Sequence, residues 1–163
     1  KMYQEQIKIL ADSGIDLIAA ETMINIEETL AAVDAANSVC DLPIMCTMTV
    51  EADGSIFSGG NAIEAAVSLE AAGADAVGIN CSVGPDQLVS VVRSIRENVS
   101  IPVIAKPNAG MPTIDDKGNA VYSMNPEDFA SYMKILIENG ASVVGGCCGT
   151  TPAFIKALHD SIR

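Results

Sequence analysis

The feature that most constrains this sequence is a strict alternation of short apolar runs with longer segments of helical period. This alternation is typical of parallel strands joined by crossover helices. The predicted strands are residues 17–20, 44–50, 76–81, 103–106 and 143–147. The predicted helices are residues 3–13, 26–39, 62–72, 85–97, 126–139 and 152–162. The sequence therefore predicts an α/β fold built on a parallel sheet.

Local signals mark where these helices begin and end. Asn25 and Asn61 each precede a Glu at capping-box spacing, and Asn125 and Thr151 each precede a proline suited to a first helical turn. Glycines at 14, 73 and 140 stand where helices should end, and each begins a similar phrase that leads into a strand. The same joint from helix to strand is thus reused along the chain.

A repeat of about 30 residues suits either a (β/α)8 TIM barrel or an open doubly wound sheet. Residues 21–25, after the first strand, contain no glycine, so the dinucleotide-binding fingerprint of the open sheet is missing. Five strands cannot close a barrel, and the chain opens on Lys1 instead of an initiating Met. We expect residues 1–163 to be the C-terminal part of such a barrel, with roughly its last five strands.

Composition excludes several classes of partner. The chain is 49% hydrophobic and carries a formal net charge of -12, which opposes binding to nucleic acid and to anionic membrane surfaces. No apolar run reaches the 18 or so residues of a membrane span, and no secretory segment opens the chain, so a cytoplasmic location is expected. Five cysteines, an odd number, indicate reduced thiols or metal ligands.

Cysteines stand at two of the five predicted strand ends, where barrel enzymes place their chemistry. Cys81 ends one strand, and Cys147 and Cys148 end the last. Successive strand residues point to opposite faces, but glycines at 145, 146 and 149 let the chain turn both thiols toward one mouth. A strained vicinal disulfide or a tight packing joint remains an alternative. Cys40 and Cys46 are predicted to be small buried apolar residues.

Three converging thiolates suit zinc, which prefers four ligands and would keep one position open for a substrate. A thiol that binds there loses its proton and becomes nucleophilic. The predicted reaction is attack by a substrate sulfur.

Three phrases resemble the homocysteine S-methyltransferase family, and within it the homocysteine-binding module of cobalamin-dependent methionine synthases. They are Lys-Pro-Asn-Ala-Gly-Met-Pro at 106–112, Gly-Gly-Cys-Cys-Gly-Thr-Thr-Pro at 145–152 and Gly-Ile-Asn-Cys-Ser at 78–82. The resemblance covers nearly the whole chain. It implies that Cys81, Cys147 and Cys148 are the zinc ligands, with no catalytic residue beyond the zinc site.

The resemblance also implies substrate-binding residues. Glu21 matches the strand-end carboxylate that binds the amino group of homocysteine, although a solvated or helix-capping acid is the plainer alternative. Asn80 and Asn108 lie next to the ligand positions, where they either hold the substrate carboxylate or simply satisfy backbone groups.

The implied activity is transfer of a methyl group from cobalamin, carried on another domain, to a zinc-bound homocysteine thiolate, giving methionine. The alternatives are S-methylmethionine or betaine as donor, or a non-catalytic zinc-binding fragment. The family's first three strands, including an early Asp-Gly phrase, have no counterpart here. The implied partners are therefore the remaining barrel strands and the corrinoid- and folate-binding domains of a parent protein.

The stretch from 109 to 126 is predicted to be a long loop over the mouth, with residues 115–119 as an exposed turn. His159, the only histidine, is predicted to be a surface residue of the last helix.

Overall fold

A computed structural model describes all residues from 1 to 163 and has the predicted alternation of strands and helices. The strands are β1 (Ile18–Met23), β2 (Ile44–Met48), β3 (Ala76–Asn80), β4 (Val103–Lys106), β5 (Pro112–Ile114), β6 (Ala120–Tyr122) and β7 (Ala141–Val144). The helices are α1 (Met2–Asp12), α2 (Ile26–Val39), α3 (Ala62–Ala71), α4 (Val89–Asn98), α5 (Pro126–Glu138) and α6 (Pro152–Ser161). The prediction of an α/β fold with a parallel sheet is confirmed.

The main sheet has five parallel strands in the order β1-β2-β3-β4-β7. Each new strand is added on the same side of the one before it. Because such crossovers are right-handed, all the helices lie on one face of the sheet. Consecutive helices from α1 to α6 contact one another and form a single outer layer.

The hydrophobic core lies between this helical layer and the outer face of the sheet, where 33 buried residues form one cluster. Its strand members alternate along each strand, as in Ile44, Cys46 and Met48 of β2. At the α5–α6 end, Phe129 and Phe154 pack edge to face with ring centroids 5.5 Å apart. The other face, which we call the inner face, carries no helix and presents the alternate residues of each strand.

The helix signals read from the sequence explain most boundaries. The Asn25 side chain accepts from the Glu28 amide at 2.9 Å, and Asn61 with Glu64 forms a complete capping box. The three helix-ending glycines all have positive φ. Thr151 occupies the cap position of α6 without a side-chain cap bond, so Pro152 alone marks that start.

Several predicted boundaries were wrong in detail. The last strand ends at Val144, before Gly145 and both terminal cysteines, whereas β1 runs on to Met23 and includes Glu21. The predicted helix 85–97 is split into a 3-10 turn, Pro85–Gln87, and α4, because Leu88 leaves helical geometry. The expected loop after β4 contains the antiparallel hairpin β5–β6, whose turn is built on Asp115 and Gly118.

None of the helices has both the length and the apolar composition that crossing a bilayer requires.

Candidate metal centre

Cys81 follows the last residue of β3 and has an unusual backbone conformation. Its φ is 50°, in the left-handed region that residues with a Cβ rarely adopt. Its amide donates to the Lys106 carbonyl at 3.2 Å, which holds the turn against the end of β4. Strain of this kind persists where surrounding structure enforces it, and it clusters at functional sites.

Cys147 and Cys148 lie in the loop after β7, which is bound to the segment after β4. The Cys147 amide donates to the Pro107 carbonyl at 2.9 Å, and the Cys148 amide donates to the Asn108 side-chain oxygen at 3.1 Å. The chain leaves the strand before both thiols, not between them as the sequence suggested. An irregular loop, free of strand alternation, therefore lets both side chains reach the same mouth.

The prediction gave all three glycines around this pair the task of turning the backbone, but the structure gives most of them a different one. Among 145, 146 and 149, only Gly149 has a positive φ, of 80°. A Cβ on Gly146 would lie 2.5 Å from the Thr150 side chain, and one on Gly149 would lie 2.3 Å from the Tyr122 ring. These two glycines give room to their neighbours, and Tyr122 of the β5–β6 hairpin uses that room to cover the loop.

The three sulfurs of Cys81, Cys147 and Cys148, which we call the thiol cluster, lie within 4.8 Å of one another. The Cys81 and Cys148 Sγ atoms are 3.4 Å apart, and all the cysteines are free thiols. Two sulfurs bound tetrahedrally to one zinc at ~2.3 Å are about 3.8 Å apart. The spacing and chemistry of the donors therefore fit a zinc ion with little rearrangement.

Electrostatics favour a cation in the cluster. The pKa of the Cys81 thiol is raised to about 12, chiefly by burial and then by hydrogen bonding and charge repulsion from the adjacent Cys148 and Cys147 sulfurs. Neighbouring thiolates repel one another unless a positive ion lies between them. Cys46, in contrast, is fully buried in the core, and Cys40 is half-buried with its thiol directed at the Ala36 carbonyl. Neither lies in the cluster.

Asn80, the last residue of β3, is completely buried at the centre of the mouth. Its side-chain oxygen accepts from the Thr22 amide at 2.9 Å and the Thr47 hydroxyl at 2.7 Å. Its nitrogen donates to the Thr22 hydroxyl at 2.7 Å and approaches Glu21 Oε1 at 3.3 Å and Cys147 Sγ at 3.8 Å. Asn80 thus joins β1 and β2 to the thiol cluster.

Asn108 is also buried and ties together the two loops that carry cysteines. Its side-chain nitrogen donates to the Ser82 carbonyl, and its oxygen accepts from the Cys148 amide. Both asparagines satisfy groups of the protein itself, the alternative that the sequence left open.

Glu21 lies on the inner face near the end of β1, with its side chain 41% exposed. Its Oε1 atom forms an ion pair with Lys106 Nζ, from the end of β4, at 2.5 Å. Lys106 opens one of the phrases that resemble the family, but the sequence patterns predict no role for the lysine itself. The sequence does contain a signal for Lys106, since it is a lone cation at the end of a predicted strand, where barrel enzymes place their reacting groups.

These features define a class of protein: a one-sided parallel α/β sheet whose reactive groups meet at the carboxyl ends of its strands. A family model described as homocysteine S-methyltransferase matches residues 1–162, and the chain belongs to that family.

The relatives fall into two groups by their names. Methionine synthase of Mycobacterium tuberculosis is 34% identical over 166 residues, which cover 98% of this chain and 14% of that protein. Homocysteine S-methyltransferase 3 of Zea mays is also 34% identical, over 99% of this chain and 48% of its own length. The chain thus spans less than half the length of either relative.

Solved structures share the fold. The apo form of the homocysteine methyltransferase MmuM from Escherichia coli superposes with a TM-score of 0.78 at 23% identity, covering 98% of this chain and 57% of that one. A putative phosphonomutase from Burkholderia cenocepacia gives 0.69 at 14% identity, covering 97% and 71%. At these identities the likeness establishes the fold alone.

Proposed function

We propose that this chain is the zinc- and homocysteine-binding module of a homocysteine S-methyltransferase. The observation that carries the proposal is the thiol cluster, three convergent sulfurs at the mouth of a parallel sheet in a chain of this family. Cys81, Cys147 and Cys148 hold the zinc ion. When bound, that ion supplies the Lewis acidity that removes the proton from a substrate thiol near neutral pH.

Protein residues set the geometry around the substrate. Asn80 and Asn108 position the loops of the thiol cluster, because each hydrogen bonds to a ligand residue or its backbone. Glu21 binds the substrate ammonium, since a half-exposed carboxylate at the mouth is a charge-assisted partner for it. The β5–β6 hairpin covers the Cys148 loop and shields part of the site from water.

We infer that residues 1–163 are the C-terminal part of an eight-stranded barrel, with the last five of its strands. Parallel sheets are normally covered on both faces, yet here every helix lies on one face. Side chains of the edge strands β1 and β7 are largely half-buried or exposed, whereas every residue of the central strand β3 is buried. Three further strands would pair with both edges and close the sheet around its inner face, leaving the strand ends at the open mouth of the barrel.

The methyl donor is proposed to be cobalamin, bound with folate-dependent machinery on other domains of a parent protein. The similarity to methionine synthase and the Pro-Asn-Ala-Gly phrase at 107–110 support this donor. S-methylmethionine or betaine is the second candidate, because the Zea mays homocysteine S-methyltransferase is equally similar. Assays of the parent protein with each donor separate the two. The cytoplasmic location stays a prediction, in keeping with five free thiols.

X-ray absorption at the zinc edge tests the proposal directly. The complete barrel of the parent protein, loaded with zinc, is expected to show three sulfur ligands and one lighter ligand, and saturating homocysteine should replace the lighter ligand with a fourth sulfur. Methionine, which lacks a free thiol, is the matched control and should leave the three-sulfur shell unchanged. An identical zinc shell with and without homocysteine would overturn the proposal.

A further inference from the structure

Lys106 is the only one of the nine lysine and arginine residues that belongs to the sheet. The others lie on helices, at the hairpin turn or at the chain ends. In a chain of net charge -12, a single cation on the inner face creates a local preference for an anionic group. The thiol-binding role proposed above does not by itself require this charge.

The ion pair between Lys106 and Glu21 spans the inner face. The two residues belong to β4 and β1, and strands β2 and β3 lie between them. Glu21 Oε1 also receives the Asn80 side-chain amide, whose nitrogen is 3.8 Å from Cys147 Sγ. A continuous set of contacts therefore leads from the ion pair to the thiol cluster.

The ion pair is partly exposed to solvent, and its lysine has no second anionic partner. The Lys106 and Glu21 side chains are 27% and 41% exposed, and Lys106 makes no other ion pair. The cavity beside them, lined by Thr47 and Ile104 among others, has a volume of about 30 Å³, which is room for about one water. The space beneath the pair is therefore too small for an amino acid. Partly exposed ion pairs contribute little stability, so separation costs little.

We propose that Lys106 binds the α-carboxylate of the zwitterionic substrate, beside the Glu21 carboxylate that the proposed function assigns to its α-ammonium. Each charge of the zwitterion takes the place of one partner in the resting ion pair, so the charge balance of the inner face is kept.

This inference rests on the proposed function. Its predicted consequence is selectivity for thiols that carry both a carboxylate and an ammonium group. Lys106 should discriminate against thiols that lack a carboxylate, because its ammonium would then lose its anionic partner. Glu21 should discriminate in the same way against thiols that lack an amine.

The test is a comparison of three thiols on the cobalt-loaded complete barrel of the parent protein, with the sulfur-to-cobalt charge-transfer absorption as the binding readout. The thiols are homocysteine, 3-aminopropanethiol, which lacks the carboxylate, and 4-mercaptobutyrate, which lacks the ammonium. The variants are Lys106→Met, Lys106→Arg, Glu21→Gln and, as a matched loss of charge on the outer surface, Lys134→Met.

The wild-type barrel should prefer homocysteine to 3-aminopropanethiol by about tenfold or more. Lys106→Met should abolish that preference by weakening homocysteine alone, Lys106→Arg should restore part of it, and Lys134→Met should keep all of it. Glu21→Gln should instead abolish the preference over 4-mercaptobutyrate.

Equal weakening of homocysteine and 3-aminopropanethiol in Lys106→Met would overturn the inference, because it indicates a purely structural lysine. An unchanged preference in that variant would overturn it as well. A complete wild-type barrel whose cobalt spectrum does not respond to homocysteine would overturn the proposed function itself, and the inference with it.

Discussion

At the scale of single residues, the thiol cluster depends on backbone conformations that the flanking sequence enforces. Cys81 holds a positive φ without being glycine, and its neighbour Asn80 is buried with all its polar atoms in hydrogen bonds. Thr22, whose amide and hydroxyl both bond to Asn80, has a positive φ as well. Strained residues that share one buried asparagine form a rigid platform, which suits a site that must hold metal ligands in place.

Removal of single thiols should distinguish the cysteines of the thiol cluster, which bind zinc, from the cysteines outside it. Cys147→Ser is expected to weaken zinc binding more than about 100-fold, because loss of a direct ligand exceeds the loss from an outer contact. Cys40→Ser, at the end of α2, should bind zinc like the wild type. Zinc content after dialysis against a chelator series measures both, and equal retention in the two variants would refute the assignment.

Cys46 provides a pH-dependent prediction that does not involve the metal. Burial raises the pKa of its thiol to about 12, from 9.0 for an ordinary thiol. Below pH 9 the thiol is neutral in both states, so its burial is fully tolerated. Between about pH 9 and 12 only the unfolded chain ionises at this position, and the free energy of unfolding falls as pH rises.

The loss expected from Cys46 alone is about 1.4 kcal/mol between pH 8 and pH 10. Cys46→Val keeps an apolar side chain of similar size and cannot ionise. Over this range its free energy of unfolding should therefore fall by about 1.4 kcal/mol less than that of the wild type. Urea unfolding of both proteins at the two pH values measures the difference. Parallel losses would mean that the Cys46 thiol does not govern alkaline stability.

At the scale of elements, the β5–β6 hairpin is the part of the molecule that connects the long loop to the site. Its Tyr122 ring packs against the backbone of Gly149, and the Met124 amide after it bonds to the Ala109 carbonyl at 3.1 Å. Burial near the thiols and the charge of a Cys148 thiolate raise the pKa of the Tyr122 hydroxyl. The hairpin therefore belongs to the wall of the site.

Gly149→Ala tests this contact, and Gly118→Ala is its matched control. Both glycines have φ near +80°, so each substitution carries a left-handed cost of about 1–2 kcal/mol. A Cβ on Gly118 meets nothing within 4 Å, whereas one on Gly149 would collide with the Tyr122 ring at 2.3 Å. We expect only Gly149→Ala to weaken zinc binding, as measured by competition with a chromophoric chelator.

Equal zinc affinity in the two variants would show that the hairpin is independent of the metal centre.

At the scale of the whole molecule, the sheet is open on three sides. Its inner face carries no helix, and β1 and β7 each pair on one edge only. Unpaired strand edges are a template for association that folded proteins normally conceal. The barrel interpretation predicts that this chain is stable only when another polypeptide covers these surfaces.

Sedimentation velocity over a range of concentrations tests that prediction. We expect the isolated chain to self-associate, and co-expression with a segment that supplies three βα units to give a soluble complex with tighter zinc binding. A helical segment of equal length without strands is the control, and it should restore neither solubility nor zinc binding. A stable monomer at high concentration would contradict the truncated-barrel interpretation.

Much of this architecture follows from the sequence alone, because its determinants are local. Period-two and period-3.6 patterns, asparagine caps and helix-ending glycines act over a few residues, so the five main strands and six helices could be placed within a few positions. The cysteines could be assigned to one mouth, since parallel strands end on the same side of a sheet. The hairpin was missed because β5 and β6 are three residues each, and turn chemistry alone defines them.

Only the tertiary structure decided which side chains meet. Lys106 and Glu21 are 85 residues apart in the sequence and have two strands between them in the sheet, and their contact depends on side chains that reach across the inner face. The convergence of Asn80 on Glu21, Thr22 and Cys147 has the same origin. The alternation of residues along a strand predicts on which face of the sheet each side chain lies. The distance between residues of different strands depends on the curvature and packing of the complete sheet.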